Sequence, residues 1–134
     1  MRFNVRTAFV QRRKLPRMDR AQLDEVAAAG ARAVARIILR RTKAGLDIDR
    51  RPFKPYSPSY VRQRREEGLP TKPELRRTGA LLNSIQPKRR VVEVDGRKVR
   101  WLAEGGRVFF GIRDPSERKL VGAALRRKAK QVLR

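Results

Sequence analysis

The sequence predicts an α+β domain, with a long N-terminal helix and a C-terminal helix packed on a small antiparallel β-meander and a proline-rich loop between them. Three observations predict it. Apolar residues recur at helical spacing from Leu23 to Ile38 and again from Leu120 to Val132. β-Branched residues cluster at Val91, Val92 and Val94, just before an Asp95-Gly96 pair that is a strong hairpin signal. Pro52 and Pro55 exclude a helix interior from residues 46–56. With 134 residues and 40% apolar content, the chain suits a single domain, 1–134, with one modest core.

At the N-terminus, Phe3, Val5 and Phe9 fall on odd positions, the alternation of a strand with one buried face. Residues 1–17 can equally serve as an arm that orders on meeting a partner. The connector that follows is basic, with Arg12, Arg13 and Lys14 ahead of Pro16.

Asp19 can cap the first long helix. Leu23, Val26, Ala27, Gly30, Val34, Ile37 and Ile38 then form a stripe at intervals of three, four and seven. Arg40, Arg41 and Lys43 suit the negative end of the helix dipole, and Gly45 closes it. Small residues from Ala27 to Ala31 would let another backbone approach closely, although a plain core helix also explains them.

Phe53 and Tyr56 can pin the proline-rich loop to the core. Asp47 and Asp49 have no neighbours that complete a metal ligand set, so they read as solubilising groups with local salt bridges. Ser57-Pro58 is a cap followed by proline at the first helical position. The short helix it opens runs to Glu67, ends at Gly68 and carries Tyr60 and a basic face of Arg62, Arg64 and Arg65. After an extended 69–73 linker comes Leu75, then Thr78 as a second cap, Gly79 for close backbone approach, and Leu81, Leu82 and Ile85 as an apolar face.

Beyond Ile85 the period changes to two. Val99, Trp101 and Ala103 alternate on an expected return strand from the Asp95-Gly96 turn, Gly105-Gly106 marks a second turn, and Arg107 to Ile112 reads as a third strand. Asp114-Pro115-Ser116-Glu117 is a capping arrangement. The final helix should turn Leu120, Val121, Ala124, Leu125, Ala129 and Val132 inward. Arg118, Lys119, Arg126, Arg127, Lys128 and Lys130 should make a second basic surface.

The chemistry expected from this inventory is narrow. There is no His and no Cys, which excludes the usual nucleophile–base pairs, thiolate zinc sites and disulfides. Gly105-Gly106 lacks the lysine and spacing of a phosphate loop. Glu66 and Glu67 sit at a solvated helix end. The expectation is therefore no enzyme, with no catalytic, cofactor-binding or metal-binding residues. No apolar run reaches the roughly 18 residues of a membrane span, and no signal peptide is evident. The net charge is +23, from 36 basic and 13 acidic residues, so the surface repels itself and seeks anions. Arg12, Arg13, Lys14, Arg62, Arg64, Arg65, Arg126, Arg127, Lys128 and Lys130 are the candidate contacts to a partner or to DNA. They are spread over three elements, a diffuse positive surface rather than a base-reading site.

One further signal comes from order. "Pro-Phe-x-Pro-Tyr-Ser-Pro-x-Tyr…Arg" (residues 52–62), a Gly-Leu-Pro loop and "Leu-Arg-x-Thr-Gly-x-Leu-x-x-Ser-Ile" (residues 75–85) follow a basic amphipathic helix. In that succession they resemble the virion morphogenesis, or tail-completion, family of tailed phages and related neck and tail-terminator-like proteins, over roughly residues 19–85. Phe53, Tyr56, Tyr60, Leu75, Thr78, Gly79, Leu81 and Ile85 carry the resemblance. It implies a structural virion protein at the head–tail junction that assembles in the host cytoplasm. Such a protein forms a ring, often of six subunits, between the tail tube protein and the head-closure connector, with packaged DNA as a further neighbour and no membrane. The alternative from charge alone is a small basic DNA- or RNA-binding protein.

Overall fold

The computed structural model describes residues 1–4, 17–73 and 80–133. Val5, Phe9, Arg12, Arg13, Lys14, Leu75, Thr78 and Gly79 lie outside the described residues. The architecture is α+β, with five helices and a three-stranded antiparallel sheet among the described residues.

The longest helix, α1 (Arg20–Lys43), has 24 residues. Its start is fixed by a reciprocal capping box. The Asp19 carboxylate accepts the Gln22 N–H at 2.7 Å, and the Gln22 side-chain oxygen accepts the Asp19 N–H at 3.0 Å. At the other end Gly45 takes φ +80°, a left-handed turn open to a residue without Cβ. Val26, Ala27, Gly30, Ala31, Val34 and Ile38 form the buried face. Its small residues let the C-terminal helix, which runs over Pro115–Val132, come close; the two make the main helix pair of the fold.

Two short helices lie between. α2 (Pro58–Glu66) is capped by Ser57, whose hydroxyl accepts the Tyr60 N–H, and Gly68 follows its end with φ +70°. α3 (Ala80–Asn83) buries Leu81 and Leu82, with Ile85 buried just beyond. The sheet has β1 (Arg2–Asn4) and β2 (Gln86–Lys88) on either side of β3 (Val91–Glu93). Val92 stands opposite Phe3 and Pro87, and it is fully buried. Glu93 is bridged from both neighbouring strands, by Arg2 at 3.1 Å and Lys88 at 2.9 Å. The β2–β3 hairpin lies on α1.

The sheet keeps the expected strands around Phe3 and at Val91-Val92, but its third strand, Gln86–Lys88, lies before Val91 and not after the Asp95-Gly96 pair. Asp95-Gly96 does not turn a hairpin. Asp95 caps a helix, α4 (Gly96–Glu104), accepting the N–H groups of Arg97 and Lys98. An acid followed by glycine can open a helix as well as a hairpin, and Val99, Trp101 and Ala103 were compatible with a strand. Burial decides otherwise: Val99 and Leu102, three apart, face the core. The reversal instead falls at Arg89-Arg90, with Arg89 at φ +52°. Residues 107–112 form no strand. The Val108 carbonyl accepts the Ile48 N–H at 2.9 Å, and the Phe109 and Gly111 carbonyls accept from Arg41. Gly111 at φ +123° breaks any extended run there.

The C-terminal helix, α5 (Pro115–Val132), begins as expected, with Asp114 accepting the Ser116 and Glu117 N–H groups. Leu120, expected inward, is 61% exposed. The inward stripe is Glu117, Val121, Leu125 and Ala129 at steps of four, closed by Val132, and Leu120 lies about 100° away from it. A carboxylate thus occupies a core position.

Candidate functional site

Residues 52–64 form a braced loop. Phe53 is buried, and its N–H donates to the Gly45 carbonyl at 3.0 Å. Tyr56 and Tyr60 meet edge to face, with ring centroids 4.9 Å apart. The Arg64 guanidinium lies 5.1 Å from the Tyr56 ring and 5.6 Å from the Tyr60 ring, within cation–π range. It also donates to the Tyr60 hydroxyl at 3.3 Å and to the Pro70 carbonyl at 2.6 Å. From a distant part of the chain, Arg107 stands 5.3 Å over Tyr56 and donates to the carbonyls of Lys54 and Pro55.

Arg64 therefore leaves the basic face on which the sequence put it. It is 1% exposed, and its charge is met by rings and a carbonyl rather than offered to a partner. Tyr60, one helical turn before it, and Tyr56, in the loop ahead of the helix, draw the side chain inward. Arg62 and Arg65 remain exposed on α2, as do Arg126, Arg127 and Lys130 on α5, while Lys128 is half-buried. Of the residues carrying the family resemblance, Phe53, Tyr56 and Tyr60 gather in the brace, and Leu81 and Ile85 enter the core.

A second constellation had no counterpart in the sequence reading. Arg41 Nη1 donates to Glu117 Oε1 at 2.6 Å, and both side chains are 1% exposed. Arg41 Nη2 donates to the carbonyls of Phe109 and Gly111. Arg50, at φ +61°, adds a third member, donating to Glu117 Oε2 at 3.2 Å. One buried carboxylate thus joins the end of α1, the 47–51 turn and the start of α5. The available signal was position. Arg41 continues the Val34–Ile38 stripe and Glu117 precedes Val121 by four, so each charge sits on an apolar face.

Asp47 acts within its own turn, and Asp49 reaches across the fold. Asp47 Oδ1 accepts the N–H groups of Asp49 and Arg51, an Asx turn. Asp49 meets Arg113 in a two-bond pair at 2.8 and 2.6 Å. That hydrogen bonding holds the Asp49 carboxyl below its usual range and pushes Arg113 up. Asp114 is lowered by the Ser116 hydroxyl and by backbone N–H groups, and Glu93 by Lys88. Among the described residues no three His, Cys, Asp or Glu side chains group so as to hold a metal ion. No described helix is long and apolar enough to cross a membrane. No family model, curated protein or solved structure matches the chain. Arg41, Arg107 and Arg113 join distant segments of the backbone, and exposed Arg62, Arg65, Arg126, Arg127 and Lys130 stand outside these joints.

Proposed function

We propose that this chain is a structural virion protein of the phage head–tail junction, of the neck, tail-completion or tail-terminator kind. Copies of it close into a ring that joins the tail tube protein to the head-closure connector. The observation that supports this is the braced loop. The ordered motif that resembles the family is the stretch whose Phe53, Tyr56, Tyr60 and Arg64 are locked together and held by Arg107. A loop tied by guanidinium groups to rings and carbonyls keeps its outline. Identical copies that dock through the same surface need such fixed outlines. Arg62, Arg65, Arg126, Arg127 and Lys130 lie exposed on α2 and α5, available to steer acidic partner surfaces or to face packaged DNA. The N-terminal arm and the C-terminal helix are the contact elements on this view.

Size-exclusion chromatography with light scattering, at low and high salt, tests the proposal. A discrete closed oligomer that survives high salt is expected. A monomer at every concentration, binding duplex DNA with a steep salt dependence, would instead favour a small basic DNA- or RNA-binding protein, the reading that the +23 charge also supports.

A further inference from the structure

Helix α4 carries the chain's single tryptophan, and carries it on the outside. Val99 and Leu102 bind the helix to the core, while Trp101 is 72% exposed on the opposite side. Helical spacing places Arg97 one turn before Trp101, with Lys98 and Arg100 flanking, and all three are exposed. Elsewhere the protein pairs its arginines where carboxylates allow: Arg2 with Glu93, Arg41 and Arg50 with Glu117, Arg113 with Asp49. Among the described residues no carboxylate meets Arg97, Lys98 or Arg100, and no ring or guanidinium lies over Trp101. The helix has one carboxylate on this face, Glu104, one turn beyond the indole.

We propose that this face of α4 binds single-stranded nucleic acid, with a base stacked on Trp101 and neighbouring phosphates neutralised by Arg97, Lys98 and Arg100. Every base has a π-face, and cations beside an aromatic platform follow the backbone; this is how unpaired strands are held without sequence readout. Charge complementarity selects this occupant. A second copy brings its own share of a +23 surface against the same cations, whereas a polyanion releases counterions on arrival. A bilayer surface calls for a broad apolar face, and this one has a single large apolar side chain. A duplex satisfies the cations but hides its base faces from the indole. The site requires neither ring closure nor its failure, so it stands apart from the structural role proposed above.

The lone tryptophan makes the test direct, because its emission reports on this helix alone. The full chain is titrated with an oligothymidylate and, separately, with a duplex of the same length, while light scattering records its oligomeric state. The single strand is expected to quench Trp101 and the duplex to bind without quenching. Trp101→Ala should weaken single-strand binding by about five- to one-hundred-fold and leave duplex binding and the salt slope unchanged. Arg97→Gln with Arg100→Gln should lower the salt slope by about 0.7 for each phosphate that is no longer neutralised. Glu104→Gln should tighten binding, a gain that misfolding does not produce. Undiminished single-strand binding by the Trp101→Ala variant overturns the proposal. So does quenching that follows protein concentration without nucleic acid, which would make the face a self-contact. Equal quenching by polyglutamate would also overturn it and identify an acidic-peptide site.

Discussion

Among the described residues two arginines are buried, Arg41 and Arg64, and they connect the chain over very different distances. Arg64 reaches the Tyr60 hydroxyl four residues back and the Pro70 carbonyl six residues on. Arg41 reaches Glu117, 76 residues away, and carbonyls of Phe109 and Gly111 at 68 and 70. Arg64 shapes a loop. Arg41 joins the ends of the two long helices on which the fold is built. A guanidinium in the interior is thus a local brace in one case and a tertiary joint in the other, and the cost of losing each should differ in size and in reach.

The largest effect is expected at the joint. Glu117→Leu leaves the Arg41 guanidinium buried without its carboxylate and should destabilise the protein by about 3–5 kcal/mol. Denaturant unfolding would measure this as a fall in midpoint at unchanged slope. Arg41→Met combined with Glu117→Leu should recover most of the loss, because an apolar pair of similar volume avoids the desolvation cost. A double variant no better than the single would mean that the carbonyl contacts of Arg41, and not its ion pair, hold the junction.

Next in size is the brace. Arg64→Met removes the ring contacts and the hydrogen bonds to Tyr60 and Pro70, for about 1–3 kcal/mol. The loss should stay local. Amide exchange should quicken across residues 53–70 while the amides of α1 keep their protection. If α1 loosens equally, the distinction between brace and joint fails.

The same contrast of distance explains what was legible in the sequence. Caps are local, and Asp19, Ser57 and Asp114 cap their helices where expected. The α+β class followed from the two long apolar stripes together with the β-branched run at Val91 and Val92, which forms β3. Phe53, Tyr56 and Tyr60 stood out as closely spaced aromatics in a proline-rich stretch, and the Tyr56–Tyr60 contact is local in sequence as well as in space. Residues 95–112 were misassigned because Asp-Gly serves hairpins and helix starts alike, and Val99 fits a period of two or of three until the core is known. The Arg41–Glu117 joint was hidden for another reason. Each residue had a sufficient local explanation, Arg41 as a cation at a helix end and Glu117 as part of a capping arrangement. Their meeting depends on α1 and α5 packing side by side. Trp101 was missed with them, since a strand assignment made it one of three alternating residues instead of the exposed face of a helix.

A smaller effect should come from carboxylates at the surface. Asp49 is lowered chiefly by Arg113, Asp114 by Ser116, and Glu93 by Lys88. A carboxyl with a folded pKa below its unfolded value binds fewer protons when folded. Its stabilising contribution is therefore complete above the ordinary carboxylate range and disappears as pH falls through the folded value. Thermal midpoints should hold steady near neutrality and decline on acidification. Asp49→Asn should flatten part of that decline, since it removes one of the titrating groups. An identical profile in the variant would mean that the Asp49–Arg113 pair adds nothing to the junction that Glu117 holds from inside.

The smallest change tests the residue beside Arg41. Thr42 is fully buried at the end of α1, and among the described residues neither its hydroxyl nor Arg41 Nε has a hydrogen-bond partner. A buried hydroxyl without a partner carries a desolvation cost that a methyl group does not. The α1 backbone needs only a side chain of this shape there, so Thr42→Val should be neutral or stabilising by up to about 1 kcal/mol. The sign is what matters. If the joint holds through the two Arg41 nitrogens that do find partners, the neighbouring polar atoms contribute nothing. A clear destabilisation by Thr42→Val would show the hydroxyl to be part of the network, bonded through a water or through a shift of the Arg41 side chain. Glu117→Leu would then remove more than one ion pair, and its cost would have to be apportioned by a double-mutant cycle with Thr42 as the second site.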